Sequence, residues 1–290
     1  MYYGAIEAGG TKFVCAISND DFEVLDRVSI PTTTPAETIS EVFNFFDRFS
    51  LKSIGIGSFG PIDVNRSSKT YGYITTTPKK GWVNFDFLGN IKERYNIPVA
   101  WTTDVNAAAY GEYKKGNAQD SSSCIYLTVG TGIGGGAVVN GNIQAGFGHP
   151  EMGHVLVQPH PDETYQGSCP YHDNCLEGFA AGPAIESRYN KKGHELENDI
   201  KVWEMEAYYL AQALVDYTLI LRPERIILGG GVMKQKQLFS LIRTEFGKLL
   251  GDYVATPDLN QYIVEPGLGD NAGITGCLLL AAESADGKVS

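Results

Sequence analysis

Ile6-Glu7-Ala8-Gly9-Gly10-Thr11-Lys12 is the stretch that decides the fold, because it reads as an apolar strand, a two-glycine turn and the start of a second strand. Adjacent glycines let a backbone approach a phosphate group closely, with N–H groups pointing into the turn. Thr11 could add a hydroxyl donor and Lys12 a positive charge. A plain β-hairpin turn is the alternative interpretation, and this stretch alone leaves both open.

A second glycine turn follows another apolar strand. Gly130, Gly132 and Gly135 have the spacing of a dinucleotide-binding fingerprint, but that fingerprint must open a helix. The residues that follow, 137–141, are typical of a strand and a hairpin turn. The sequence therefore excludes a Rossmann dehydrogenase, and two hairpin-type turns indicate a nucleotide held across a cleft.

A third glycine run, Gly229-Gly230-Gly231, ends the apolar strand 225–229 and precedes a predicted helix at 234–250. Such a site allows a flat base or ribose to approach the carboxyl end of a strand. A tight strand-to-helix loop is an equally open interpretation.

The order of predicted elements indicates a duplicated α/β unit. Each half begins with strands joined by a glycine turn and continues with helices alternating with strands. We predict one lobe at 1–118 and another at 119–270, the second with a metal-binding loop at about 148–178. The last predicted helix, at about 271–285, is a candidate to pack back on the first lobe.

Composition excludes several classes of protein. The chain has 290 residues, 43% of them hydrophobic, and a net charge of −11 without a basic cluster, which argues against nucleic-acid binding. No apolar run approaches the roughly 20 residues that span a bilayer, and the N-terminus lacks the pattern of a signal peptide. We therefore expect a cytoplasmic protein without a membrane partner. Its five cysteines, an odd number, argue against a disulfide framework.

Asp104 is the candidate catalytic residue. We predict that it caps the helix 104–115, whose small residues 107–109 would let the helix pack closely against a cleft. Transfer of a phosphoryl group to a hydroxyl needs a carboxylate that accepts the hydroxyl proton. Asp104 could serve both roles if its carboxylate also faces the cleft.

Four potential metal ligands lie within a segment predicted to be irregular. They are His154, Cys169, His172 and Cys175. Two thiolates and two imidazoles form a closed tetrahedral set that suits structural Zn²⁺ and leaves no open position for catalysis. The spacing differs from that of a zinc finger. His149, His160 and His194 have no matching partners and are interpreted as loop or surface residues.

Together these motifs resemble the ROK family of bacterial sugar kinases, and most closely its fructokinases. The stretches that carry the resemblance, in chain order, are 7–13, 76–82, 104–108, 130–134, 149–154, 175–178 and 182–186. The resemblance implies a two-lobed actin/hexokinase-like, ribonuclease H-like fold with a cleft between the lobes. It also implies ATP with Mg²⁺, a hexose substrate and a homodimer.

The resemblance also implies residue roles. Asp104 corresponds to the general base, and sugar hydroxyls would be held by Asn106, Glu151, His154 and Glu177. His154 would bind zinc through one ring nitrogen and the sugar through the other. The implied nucleotide contacts are Gly9, Gly10, Thr11, Lys12, Gly130, Thr131, Gly132, Pro183, Gly229, Gly230, Gly231, Val232 and Met233.

Two positions depart from the family pattern. Many members have Asp where this chain has Glu7, and many glucose-type members have Asn where this chain has Thr103. The second departure removes a usual sugar contact and disfavours glucose. We expect phosphorylation of D-fructose to fructose 6-phosphate. The alternatives are a glucokinase or mannokinase, an N-acetylmannosamine kinase, and a sugar-sensing protein without catalysis.

Overall fold

The protein is represented by a computed structural model that describes residues 1–287. The chain forms two compact units. Unit 1 contains residues 1–116, 143–149 and the described residues from 270 onward, and unit 2 contains residues 117–142 and 150–269. Within 1–287, no helix combines the length and apolar composition needed to cross a membrane.

Twelve strands and nine α-helices lie within the described residues. The strands are β1 (Tyr2–Ala8), β2 (Lys12–Ser18), β3 (Val24–Pro31), β4 (Leu51–Ser58), β5 (Tyr73–Ile74), β6 (Phe85–Asp86), β7 (Val99–Thr103), β8 (Cys124–Val129), β9 (Ile133–Val139), β10 (Asn142–Ile143), β11 (Arg225–Gly229) and β12 (Ile263–Val264). The helices are α1 (Pro35–Phe46), α2 (Phe87–Tyr95), α3 (Asp104–Lys115), α4 (Leu176–Ala180), α5 (Gly182–Tyr189), α6 (Ile200–Leu221), α7 (Gln237–Leu250), α8 (Leu259–Tyr262) and α9 (Ala272–Ala285).

The two large sheets have equivalent strand orders. One runs β3-β2-β1-β4-β7 and the other β10-β9-β8-β11-β12. Counted along the chain, the first strand of each sheet (β1 or β8) pairs antiparallel with the second (β2 or β9) and parallel with the fourth (β4 or β11). The fourth strand pairs parallel with the fifth (β7 or β12). A glycine turn joins the first two strands of both sheets. The predicted duplication of an α/β unit is thus present in the topology.

In unit 1, α9 packs so closely on the sheet and on α3 that backbone atoms are in contact. A β-carbon built on Gly55 of β4 would lie 1.9 Å from the carbonyl oxygen of Cys277 in α9. One built on Gly276 of α9 would lie 1.7 Å from the carbonyl oxygen of Ala107 in α3. Only glycine fits at these two crossings, and α9 therefore packs directly on both β4 and α3.

The core of unit 2 is built around α6. This helix buries large side chains along most of its length, among them Trp203, Tyr209 and Leu210. They pack with apolar residues of β8, β11 and α7 in one continuous cluster. The indole Nε1 of Trp203 donates a hydrogen bond to the carbonyl of Leu196, 2.9 Å away, so its polar atom is satisfied inside the core.

The predicted helix cap at Asp104 is wrong. The N-cap of α3 is Thr103, whose extended backbone lets its hydroxyl oxygen accept the N–H of Asn106 at 3.1 Å. Asp104 is the first helical residue, where a carboxylate is favoured by the positive end of the helix dipole. Both residue types can cap a helix, and the end of β7 at Thr103 decides between them.

Several other bounds differ from the sequence interpretation. Residues 84–95 look helical in the sequence, but α2 starts at Phe87, because Asp86 caps it by accepting the N–H of Gly89 at 2.8 Å. Residues 142–146 suggest a strand, of which only Asn142–Ile143 form β10. The short helix α4 lies in the segment predicted to be irregular. Residues 261–265 suggest a strand in the sequence, but α8 extends to Tyr262 and only Ile263–Val264 form β12.

Candidate functional site

The glycine turn of unit 1 is fixed by its own backbone and by a threonine. The N–H of Gly9 donates to the carbonyl oxygen of Lys12 at 3.0 Å, and the Thr32 hydroxyl donates to the carbonyl oxygen of Gly9 at 2.8 Å. Lys79 lies beside this turn, since its Cε is 3.6 Å from the position of a β-carbon built on Gly10. Lys79 was not among the predicted site residues, although it lies in the stretch 76–82 that carries the family resemblance.

Glu7, at the end of β1, lies near Asp104 in unit 1. Burial raises the pKa of Glu7 from 4.5 to about 7, and the negative charges of Asp104 and Asp270 add to this effect. The cations Arg27 and Lys12 oppose it. Two carboxyl groups thus share a weakly solvated region at the start of α3.

Gly273 of α9 makes room for the longer side chain of Glu7. A β-carbon built on Gly273 would lie 2.4 Å from Glu7 Oε1. Glutamate at this position is therefore accommodated by a glycine on another element. Gly57 supplies further space on the same side of the sheet, because a β-carbon there would lie 3.2 Å from the Cα of Asp104.

Asn106, a predicted sugar ligand, is buried, with 2% of its surface exposed. Its amide nitrogen donates to the Thr102 hydroxyl at 3.2 Å. Its Oδ1 has no hydrogen-bond partner within residues 1–287. In this conformation Asn106 supports the start of α3 and offers little surface to a ligand.

The predicted nucleotide residues of unit 2 come together around one turn. The N–H of Gly130 donates to the carbonyl oxygen of Gly132 at 2.9 Å, and the N–H of Gly182 donates to that of Gly130 at 2.7 Å. The second bond places the start of α5, with Pro183, beside the turn. The glycine run after β11 lies there too, because Gly230 has a φ of +94° and approaches the backbone of Val129.

Glu151 precedes a short 3-10 turn, Met152–His154, that ends at His154 and packs on β9. A β-carbon built on Gly153 would lie 1.8 Å from the carbonyl oxygen of Ile133, so only glycine allows this contact. The carbonyl of Met152 accepts a hydrogen bond from the Tyr217 hydroxyl. Both candidate sugar ligands are therefore carried on a fixed segment.

The four predicted metal ligands converge. Their ligand atoms all lie within 4.8 Å of one another. The sulfur of Cys169 is 3.8 Å from His154 Nδ1 and 3.6 Å from His172 Nδ1, and the sulfur of Cys175 is 3.6 Å from His154 Nδ1. Bond lengths of about 2.3 Å to sulfur and about 2.0 Å to nitrogen place tetrahedral zinc ligands roughly 3.5–3.8 Å apart. The cluster fits a tetrahedral metal of this kind.

Glu177 lies between the metal cluster and the glycine turn of unit 2. His154 points Nδ1 at the cysteines, and its other nitrogen, Nε2, lies 3.9 Å from Glu177 Oε1. Glu177 Oε2 accepts the N–H of Ile133, the residue that ends the turn, at 2.8 Å. Candidate metal, sugar and nucleotide residues are thus neighbours within one unit.

His149 lies in a loop, as the sequence suggested, and its ring makes a contact there. Its Nε2 accepts the N–H of Ile62 at 3.1 Å, and its ring lies against Gly60. The contact joins the segment 143–149 to the loop that follows β4. No local sequence signal pairs residues 87 positions apart.

Comparison with known proteins defines the class. The ROK family model matches residues 3–284. A putative fructokinase of Bacillus subtilis is 53% identical, covering 99% of both chains. The fructokinase of Pediococcus pentosaceus is 52% identical over 97% of this chain and 98% of its own.

Solved structures match the fold described above. The ROK hexokinase of Thermus thermophilus matches with a TM-score of 0.81 at 27% identity, covering 99% of this chain and all of that one. The Streptomyces griseus ROK glucokinase, solved with glucose and AMPPNP, matches with a TM-score of 0.77 at 22% identity, covering 98% and 100%. This chain belongs to the ROK family.

Proposed function

We propose that the chain is an ATP-dependent fructokinase that converts D-fructose to fructose 6-phosphate. The observation that carries the proposal is that relatives named fructokinase are 42–53% identical over nearly the whole chain. Relatives named glucokinase are only 24–28% identical. Thr103, where many glucose-type members have Asn, supports the same choice.

In the proposed reaction the C6 hydroxyl of fructose attacks the γ-phosphorus of ATP. Asp104 accepts the hydroxyl proton as the new O–P bond forms, and the bond between the γ-phosphorus and its bridging oxygen breaks to release ADP. The position of Asp104 at the first turn of α3 supports this role, because local backbone geometry holds it. Mg²⁺ bound with ATP would neutralise developing phosphate charge.

The remaining predicted roles are part of the proposal. Backbone N–H groups of both glycine turns would hold phosphate oxygens, and the residues Glu151, His154 and Glu177 would hold sugar hydroxyls. His154, Cys169, His172 and Cys175 would bind one structural Zn²⁺, which leaves no position for substrate. The family resemblance favours a homodimer, which light scattering tests, and the sequence pattern favours a cytoplasmic location.

The decisive experiment is a coupled ADP-release assay over a panel of hexoses. We expect kcat/KM for fructose to exceed that for glucose, mannose and N-acetylmannosamine. If one of these three sugars were turned over faster than fructose, that sugar would be the preferred substrate. The assignment as a kinase would stand. Sugar binding without ADP release for any hexose would instead favour a sugar-sensing protein.

A further inference from the structure

Glu177 uses both carboxylate oxygens inside unit 2. It lies in the first turn of α4, two residues after the metal ligand Cys175, whose sulfur caps that helix by accepting the N–H of Gly178 at 3.4 Å. From there Oε2 accepts the N–H of Ile133 at 2.8 Å, and Oε1 faces His154 Nε2 at 3.9 Å. A hydrogen bond to a charged acceptor is stronger than one between neutral groups.

This carboxylate is fitted to the glycine turn that it supports. A β-carbon built on Gly132 would lie 2.6 Å from Oε2, so the carboxylate can approach this closely only because residue 132 is glycine. Ile133 is 4% exposed, and the loss of its acceptor would leave a buried N–H unpaired. The other end of the turn is held by the N–H of Gly182. Two groups outside the turn therefore fix it, one at each end.

We propose that Glu177 is a positioning residue for the nucleotide turn, and that it couples occupation of the metal cluster to nucleotide affinity even when no sugar is bound. The inference rests on the proposed function for the assignment of residues 130–132 to ATP. A metal bound to Nδ1 of His154 would leave the proton on Nε2, which faces Glu177 Oε1 at 3.9 Å and would attract the carboxylate. The metal loop then acts on the turn through two contacts, His154 to Glu177 and Glu177 to Ile133.

The test is calorimetric titration of the metal-loaded protein with Mg·ADP in the absence of sugar. We expect Glu177→Ala to weaken ADP binding about tenfold, because a buried N–H loses a charged acceptor. Glu177→Asp keeps the charge but shortens the reach to Ile133, and should weaken binding similarly. Glu177→Gln retains an acceptor oxygen and should restore most of the affinity.

Glu151→Gln is the matched control, since Glu151 is a candidate sugar ligand next to the 3-10 turn, and the carboxylate that accepts the Ile133 N–H is that of Glu177. It should raise the fructose KM and leave ADP affinity unchanged. Chelation of metal from the wild-type protein should also weaken ADP binding. The Glu177→Ala protein should lose little more affinity when its metal is removed, because the connection is already broken.

The proposal is overturned if folded Glu177→Ala and Glu177→Asp, each with one equivalent of metal, bind ADP as tightly as wild type. Glu177 would then serve the sugar alone. Should Glu177→Ala fail to fold, Glu177→Asp and Glu177→Gln decide by the same titration. A wild-type protein that binds ADP but does not phosphorylate fructose would overturn the proposed function only.

Discussion

The two glycine turns occupy equivalent places in equivalent sheets and are supported by different chemistry. The turn of unit 1 is held by a threonine hydroxyl and lies beside Lys79, near the carboxyl groups of Glu7 and Asp104. The turn of unit 2 is held by the carboxylate of Glu177 and by a helix N–H, next to the metal cluster. The two turns thus occupy the same place in the backbone and differ in the side chains around them. We therefore expect loss of the Asp104 carboxylate in unit 1 to affect the chemical step, and loss of the Glu177 or metal contacts in unit 2 to affect binding.

The largest effect should come from Asp104→Asn. An amide cannot accept the hydroxyl proton, so kcat should fall about 10²- to 10⁴-fold. ADP binding at the turn of unit 2 should be unchanged, because the substitution removes no contact there. Steady-state kinetics and calorimetry separate the two effects. Unchanged kcat would exclude Asp104 as the base. A loss of ADP affinity as large as the loss of kcat would show that the two turns do not have separate roles.

Removal of the metal should affect unit 2, where the glycine turn lies next to the metal cluster. We expect about one equivalent of zinc per chain by elemental analysis of protein purified without chelator. Chelation, or Cys175→Ser, should release the loop at 150–178 and raise the fructose KM, since His154 belongs to both sites. Hydrogen exchange should increase in that loop and stay constant in α3. Zinc-free protein with wild-type KM would contradict the role of the cluster.

A smaller effect is expected at Lys79. Its side chain lies beside Gly10, so Lys79→Ala should raise the ATP KM several-fold by removing a positive charge near the phosphates. Lys80→Ala is the matched control, since Lys80 is the next residue and is exposed. Kinetics at low and high salt check the charge effect. Equal KM changes in both variants would remove Lys79 from the site.

The smallest effect concerns stability. Because the pKa of Glu7 is raised to about 7, the folded state binds a proton more tightly than the unfolded state does. The contribution of Glu7 is therefore fully present below its unfolded pKa of about 4.5 and decreases as pH rises through about 7. Glu7→Gln should flatten this dependence between pH 5 and 8, as measured by urea unfolding. An unaltered slope would show that Glu7 does not titrate in this range.

Much of the fold could be predicted because its signals are local. Glycine turns after apolar strands, the alternation of helices and strands, and four clustered ligand residues all lie close together in the sequence. The family assignment and the α/β fold with two sheets are confirmed by the comparisons and the topology. The individual site roles stay predictions.

The features that were missed depend on contacts between distant residues. Glu177 reaches Ile133 across 44 positions, and the room for Glu7 comes from Gly273 on the last described helix. Nothing in the local pattern around these residues indicates such partners. The cap of α3 was misassigned for a different reason, because Thr103 and Asp104 are adjacent and both types can cap a helix.

The backbone-distance packing of α9 has a consequence for the order of events during synthesis. Unit 1 begins with β1 at residue 2, yet its sheet is covered by a helix that ends at Ala285. Gly55 has no side chain of its own to cover this face, and the backbone of α9 lies directly against it. One face of the N-terminal strands therefore stays uncovered until α9 has left the ribosome, whereas the residues of unit 2 are all synthesised before α9.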